Sequence, residues 1–159
     1  MINMLPQVSK IVEAIKPQAG AGITGAYVSL KNAGLAIVVV HINQANAATV
    51  AITLQQATTV AGGGTKVITK AVPIWANEDC VVSDTLVRQT DAVGFTTSAA
   101  TKQKVMVFAV DPATLDMANG FDCLTVLTAA SNAANITSAM YYLVDARYQQ
   151  ATPPTAVAD

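Results

Sequence analysis

Short runs of apolar and β-branched residues recur along this chain, and turn residues end most of them. Residues 35–42 are continuously apolar, which is typical of a strand buried on both faces. Residues 49–56 then alternate between apolar and polar side chains, as expected of a strand with one buried face. Because residues 43–46 supply turn chemistry between these two segments, the sequence predicts that they pair as a hairpin.

The same pattern continues through the rest of the chain. Residues 121–128 and 136–148 are strand-like and are joined by a small polar loop, so they predict a second hairpin. Residues 65–74 and 104–110 add further strands, with Pro73 indicating an edge or a bend in the first of them. Seven or eight short strands separated by turns predict an all-β fold, namely a single-domain β-sandwich or jelly-roll-like barrel.

The N-terminal segment has a different period. Hydrophobic residues at helical spacing predict a short N-terminal helix or arm over residues 1–17, although the abundance of Ile and Val leaves a strand as the alternative. The predicted organisation is an arm with a Gly-rich hinge (1–25), a β domain (26–148) and an extended Pro-rich C-terminal tail (149–159). We expect the two ends to make adhesive contacts, because neither can bury much within one domain. The apolar side chains of the predicted helix face are candidate partner contacts: Val8, Ile11, Val12 and Ile15.

Charge is scarce in this chain. Only 12% of the residues are charged, 52% are hydrophobic and the formal net charge is −1. The scattered basic residues form no field that would attract nucleic acid, so we expect no nucleic-acid partner. The longest apolar run is too short to span a bilayer, so we expect no membrane partner. We expect part of the uncharged surface to meet other copies or a larger partner. Since no secretory signal is visible, the chain is expected to fold in the cytoplasm where it is made, with Cys80 and Cys123 as thiols.

Motifs that could carry chemistry are weak. Residues 20–25 match GxGxxG but lack the following acidic residue of a dinucleotide site, so a flexible linker is the better interpretation. The three consecutive glycines at 62–64 predict a hairpin tip. His41 has no acidic residue near it in sequence, and with the two cysteines it lacks zinc-ligand spacing. We therefore predict no catalytic, cofactor-binding or metal-binding residues and no enzymatic activity. Trp75 is a candidate partner contact, with core packing as the alternative.

The C-terminal third carries a GFD…SNAANI…ARY…TPP pattern. With residues 27–31 and 54–58, it resembles a group of small proteins encoded in the structural modules of tailed bacteriophages and prophages. The resemblance implies a virion structural protein on the capsid surface, namely a decoration (cement) or minor capsid protein. It further implies the major capsid protein as partner and a homo-oligomer with a trimer favoured. A tail-tube or head-completion subunit is the alternative in the same class, and a carbohydrate- or receptor-binding β module is the alternative in another.

Overall fold

Two antiparallel sheets carry the buried core of this protein. The structure, a computed structural model, describes residues 5–146 and 154–158, apart from the side chain of Gln7. A short helix, α1 (Leu5–Val8), precedes the strands. The strands are β1 (Ser9–Ala19), β2 (Ile23–Thr24), β3 (Val28–Ser29), β4 (Ala33–Gln44), β5 (Ala51–Ala57), β6 (Lys66–Val67), β7 (Val72–Asn77), β8 (Val87–Ala92), β9 (Gly94–Thr96), β10 (Gln103–Val110), β11 (Cys123–Thr128) and β12 (Asn135–Ala146). Short 3-10 turns at Pro112–Thr114 and Met117–Asn119 lie between β10 and β11.

The strands form two layers. Sheet A has six strands in the order β1-β12-β4-β10-β7-β8. Sheet B contains β2, β11, β5 and β6, with β3 also paired to β11 and β9 to β5. Side chains from both sheets meet in one continuous hydrophobic core, and the all-β single-domain prediction is confirmed. Within the described residues, no helix is long and apolar enough to cross a membrane.

Strand β4 shows which face of sheet A is buried by this chain. Val38 and Val40 point toward sheet B and are fully buried, whereas Ile37 and Val39 on the other face keep partial solvent access. The prediction that residues 35–42 are buried on both faces is therefore wrong for the chain alone. Sheet B covers only one side of sheet A, and the sequence of β4 is apolar on both.

Both predicted hairpins are wrong, because the two strands of each lie in different sheets. The strands exist, but β4 pairs with β10 and β12 in sheet A, whereas β5 lies in sheet B and pairs with β11. Likewise, β11 and β12 lie in different sheets, and residues 147–148 fall outside the described chain. Each apolar strand face needs a covering layer, so the chain crosses from one sheet to the other instead of turning back beside itself. The glycine tip at 62–64 is confirmed as the turn between β5 and β6, where Thr58 N donates to Gly63 O at 2.8 Å.

The N-terminal prediction is wrong from Ser9 onward, and the strand alternative is confirmed. Strand β1 pairs with β12 from Ser9 to Ala19, with two register shifts of which the second spans Pro17, so it belongs to sheet A and is not an arm. The backbone hydrogen bonds that β12 offers along its edge override a weak helical period. Residues 20–25 are not a flexible linker either, because they contain β2, which pairs with β11.

The described part of the C-terminal tail packs against the β domain. Ser29 N donates to Ala156 O at 2.7 Å, and Ala156 is only 5% exposed. The expectation that the tail buries little within one domain is therefore wrong for Ala156, whereas Thr155, Val157 and Ala158 are exposed. Within the two predicted adhesive ends, residues 1–4, 149–153 and 159 lie outside the described residues.

Candidate interaction surfaces

The side of sheet A that points away from sheet B, here called the outer face, is apolar at its centre. Strand register places the residues of each row side by side on this face, because antiparallel partners point to the same side of a sheet. The central row crosses four neighbouring strands, and all its side chains keep partial solvent access: Met140, Val39, Val107 and Trp75. The adjacent row has the same character: Ile11, Tyr142, Ile37 and Ala109.

Opposite charges lie at the two ends of the central row. Glu13 of β1 is paired with Met140, and Arg88 of β8 is paired with Trp75. The Arg88 guanidinium lies 4.9 Å from the centroid of the Trp75 ring, a cation–π contact that holds the side chain over the outer face. Arg88 also forms an ion pair with Asp91 and donates to the Ile74 carbonyl at 3.2 Å. The outer face is thus an apolar surface with an acidic margin at Glu13 and a basic margin at Arg88, whose guanidinium is also paired with Asp91.

The structure separates the five candidate contact residues predicted from the sequence. Ile11 and Trp75 lie on the outer face, and Ile11 is 38% exposed. Val8 ends α1 and is half-buried, while Val12 is half-buried and packs against the core. Ile15 is only 2% exposed, so it is a core residue and not a contact. A strand sends consecutive residues to opposite sides, which is why a set chosen at helical spacing does not share one face.

Trp75 lies inside sheet A and not at its edge. Strand β7 is hydrogen-bonded to β10 on one side and to β8 on the other. The edge predicted from Pro73 is therefore wrong, but the predicted bend is present as a register shift between Val72 and Ile74. This position puts the Trp75 ring within the outer face, where Arg88 covers part of it.

A second apolar surface projects from the loop between β7 and β8. Residues 79–86, here called the valine tip, expose Val81 and Val82 to 71% and 76%. Leu86, at 43%, adds to the exposed apolar surface. Burying one valine side chain is worth about 1.5–3 kcal/mol, so this exposure makes the valine tip a candidate contact surface.

Hydrogen bonds hold the valine tip in one shape. Asn77 Nδ2 donates to the Ser83 carbonyl at 2.7 Å, and Ser83 N donates to the Asp79 carbonyl at 3.2 Å. Lys102 Nζ lies 2.9 Å from Asp79 Oδ2, and this contact lowers the pKa of the Asp79 carboxyl. Cys80 N donates to the Gln103 carbonyl at 2.9 Å, which fixes the tip to the start of β10. The tip therefore presents its valines without a large ordering cost on binding.

A buried lysine supports the base of the valine tip. Lys104 is fully buried, and its Nζ donates to the Ser98 carbonyl at 2.8 Å and to Ser98 Oγ at 2.9 Å. Glu78 Oε2 lies 4.0 Å from that nitrogen, while Ser98 N donates to Glu78 Oε1 at 2.9 Å. Burial lowers the pKa of Lys104, and the Glu78 charge opposes this shift. These hydrogen bonds connect Ser98 to Lys104 of β10 and to Glu78, and they stabilise the loop at the base of the valine tip.

The other residues considered for chemistry are placed as follows. Cys80 is half-buried, and the Cys123 thiol donates to Asp122 Oδ1 at 3.3 Å in a buried position. His41 is exposed on the outer face, paired with Ser138 and Val105. Across residues 5–146 and 154–158, no group of three or more His, Cys, Asp or Glu residues is arranged to hold a metal ion.

Comparison with known proteins adds little to this geometry. A scan against protein-family models matches none of them, and a search of the curated proteins finds no relative. Among solved structures, the chain is similar to the SPBc2 prophage-derived protein YomS at 9% sequence identity and a TM-score of 0.48. That likeness covers 89% of this chain and 96% of that chain. A likeness this low leaves the function to be derived from the surfaces themselves.

Sequence reasoning missed both surfaces, although each left a signal. Apart from His41, residues 35–42 are apolar at odd and even positions, which is more than a strand covered on one side needs. The adjacent valines of the tip stand among acidic and hydroxyl residues in a region without periodicity. Only the strand order of sheet A shows that the odd positions of β4 join apolar residues from distant parts of the chain.

Proposed function

We propose that this protein is a non-enzymatic structural subunit of a tailed-phage particle and that it acts as a capsid decoration protein. The valine tip carries the proposal, because it presents exposed apolar side chains on a loop that its own hydrogen bonds hold in shape. Preformed apolar anchors of this kind suit a complementary pocket on a protein partner. The resemblance of the C-terminal third to proteins of phage structural modules supports the choice of the major capsid protein as that partner.

The proposed mechanism is stabilisation by preferential binding. A subunit that binds the assembled shell more tightly than free capsomers shifts the assembly equilibrium toward the shell. Each bound copy adds the burial of its valine anchors, and the many copies on one particle add their contributions. No chemical step is required of the protein in this role.

A tail-tube or head-completion subunit is the second candidate. Sheet A has six strands that alternate in direction, so β8 of one copy could pair antiparallel with β1 of the next and close a ring. Strand β1, however, carries Lys10, Glu13, Lys16 and Pro17, which are residues that discourage strand addition at a sheet edge. The structure therefore favours attachment through the tip. A carbohydrate-binding module is less favoured, because the Arg88 guanidinium covers the Trp75 ring.

Purified particles of the phage that encodes this chain test the proposal. Particles lacking the protein are incubated with increasing concentrations of the wild type or of Val82→Ser, and the bound protein is measured after sedimentation. Val67→Ser is the matched control, because Val67 is also an exposed valine, at 42%, but lies on β6 of sheet B. We expect Val82→Ser to bind about tenfold more weakly, since tenfold corresponds to about 1.4 kcal/mol and one buried valine contributes at least that much.

Two measurements decide the outcome. Particles bearing the wild-type protein should release their DNA at a higher temperature than particles without it. If the wild-type protein is absent from the purified heads and does not bind them when added, the decoration role is wrong. Equal binding of Val82→Ser and Val67→Ser would remove the valine tip as the contact.

A further inference from the structure

The outer face of sheet A is large enough to form a stable protein interface. Six strands at a spacing of about 4.8 Å, each contributing about eight residues of 3.4 Å, cover roughly 29 Å by 27 Å, or about 800 Å². That area matches the contribution of one partner to a standard-size interface, about 800 Å². The apolar centre and the charged margins also match the usual anatomy of an interface, in which a hydrophobic core is surrounded by a polar rim.

The distribution of charge identifies the occupant as a second copy of this chain. Glu13 and Arg88 lie at opposite ends of the same row, so the acidic margin of one copy is complementary to the basic margin of another. A self-complementary surface of this type generates a closed two-fold pair. We infer that the outer face is the interface of a homodimer in which two copies stack sheet A on sheet A.

The charges also select the orientation of the pair. Face-to-face stacking needs a two-fold axis in the plane of the interface. An axis across the strands would place Glu13 on Glu13 and Arg88 on Arg88, which is repulsive. An axis along the strands, between β4 and β10, places each Glu13 over the other copy's Arg88 and forms two ion pairs.

The same axis matches side chains across the whole central row. Strand β4 then faces β10 of the other copy, so Val39 meets Val107 and the larger Ile37 meets the smaller Ala109. Strand β12 faces β7, which places the Met140 thioether on the Trp75 ring, a favourable sulfur–aromatic contact. The stacked sheets would lie about 10 Å apart with their strands at about −30°, as in other aligned sheet packings.

This inference does not depend on the proposed function. It concerns the purified protein in solution, whereas the decoration role is tested on particles. The pair differs from the trimer that the sequence resemblance implies. It also accounts for the apolar outer positions of β4, because the second copy supplies the covering layer that the chain lacks.

Light scattering and sedimentation equilibrium of the full chain at micromolar concentration test the inference. We expect a dimer for the wild type. Val107→Lys puts a charge in the centre of the face and should weaken the dimer by at least ~100-fold, because the ammonium group would be desolvated without a partner. Circular dichroism checks that this variant is folded.

Charge reversals at the exposed residues Glu13 and Arg88 test the orientation, and circular dichroism checks that each variant is folded. Glu13→Arg should weaken the dimer about tenfold, because it places two arginines together at each margin. The double variant Glu13→Arg/Arg88→Glu should regain most of the affinity. Asp84→Arg is the matched control, because Asp84 is exposed in the valine tip and outside the outer face, and it should leave the dimer unchanged.

The remaining results either contradict the inference or bear only on the decoration role. A wild-type monomer or trimer would overturn it, and so would a dimer that Glu13→Arg and Val107→Lys leave intact. A wild-type monomer whose attachment to particles is lost in Val107→Lys would assign the outer face to the shell. A dimer that does not bind particles would leave the inference standing and contradict only the decoration role.

Discussion

Tyr141 connects the two sheets through a single hydroxyl group. It lies on β12 of sheet A, is fully buried, and accepts a hydrogen bond from Val126 N of β11 at 3.0 Å. The same hydroxyl donates to the Ala26 carbonyl at 3.0 Å. Burial raises the pKa of Tyr141 far above its usual value, which favours the protonated hydroxyl that donates this hydrogen bond. We predict that Tyr141→Phe destabilises the protein without a rearrangement.

The magnitude follows from the two hydrogen bonds. Phenylalanine keeps the ring, so only a hydroxyl-sized space is left and the cavity cost is small. Each hydrogen bond contributes about 1 kcal/mol net, and leaving the Val126 N–H buried without its partner adds to the loss. We expect the free energy of unfolding to fall by about 2–3 kcal/mol. For a domain of this size, that lowers Tm by roughly 4–12 °C.

Urea unfolding followed by circular dichroism gives the free energy, and a thermal scan gives Tm, both at one fixed protein concentration. Tyr27→Phe is the control, because its hydroxyl also makes a hydrogen bond, to Thr65 Oγ1 at 2.9 Å, but in an exposed setting. We expect the control to change stability by less than about 0.5 kcal/mol. A loss for Tyr141→Phe no larger than that of the control would refute the proposed link between the sheets.

Two further predictions concern the buried lysine and the cysteines. Because the pKa of Lys104 is lowered from 10.5 in the folded state, the unfolded state binds more protons between the folded value and 10.5, and stability should rise with pH across that window. Urea unfolding of the wild type and Lys104→Met from pH 7 to 10 checks this, and equal slopes would contradict it. Alkylation under denaturing, non-reducing conditions should modify both Cys80 and Cys123, whereas in the folded protein Cys80 should react first, because it is half-buried and Cys123 is buried. A mass that shows no modified thiol would mean that the two are linked.

Sequence reasoning located most strands, because their signal is local. The sequence predicts strands at residues 104–110 and 49–56, and β10 and β5 occupy Gln103–Val110 and Ala51–Ala57. The alternation of apolar and polar residues along a strand indicates which side chains point inward. It can be identified without knowing the partner strand. The same local signal indicated an all-β domain and the glycine turn before β6.

Strand partners and the exposed surfaces depended on the tertiary structure. Nearness in sequence predicts that residues 35–42 pair with residues 49–56. The backbone of β4 instead forms hydrogen bonds with residues 103–110 and 135–146. The spacing of Ile and Val over residues 9–19 predicts a helix. These residues form a strand because they pair with the edge of β12.

The row that joins Glu13 to Arg88 is assembled from six strands spread over the whole chain. Its apolar centre is therefore visible only when the strand order is known. The local sequence determines where strands and turns form, because both depend on residues that are neighbours along the chain. Pairing and layering depend on which distant surfaces best cover one another, so the face that is left for a partner emerges only from the complete packing.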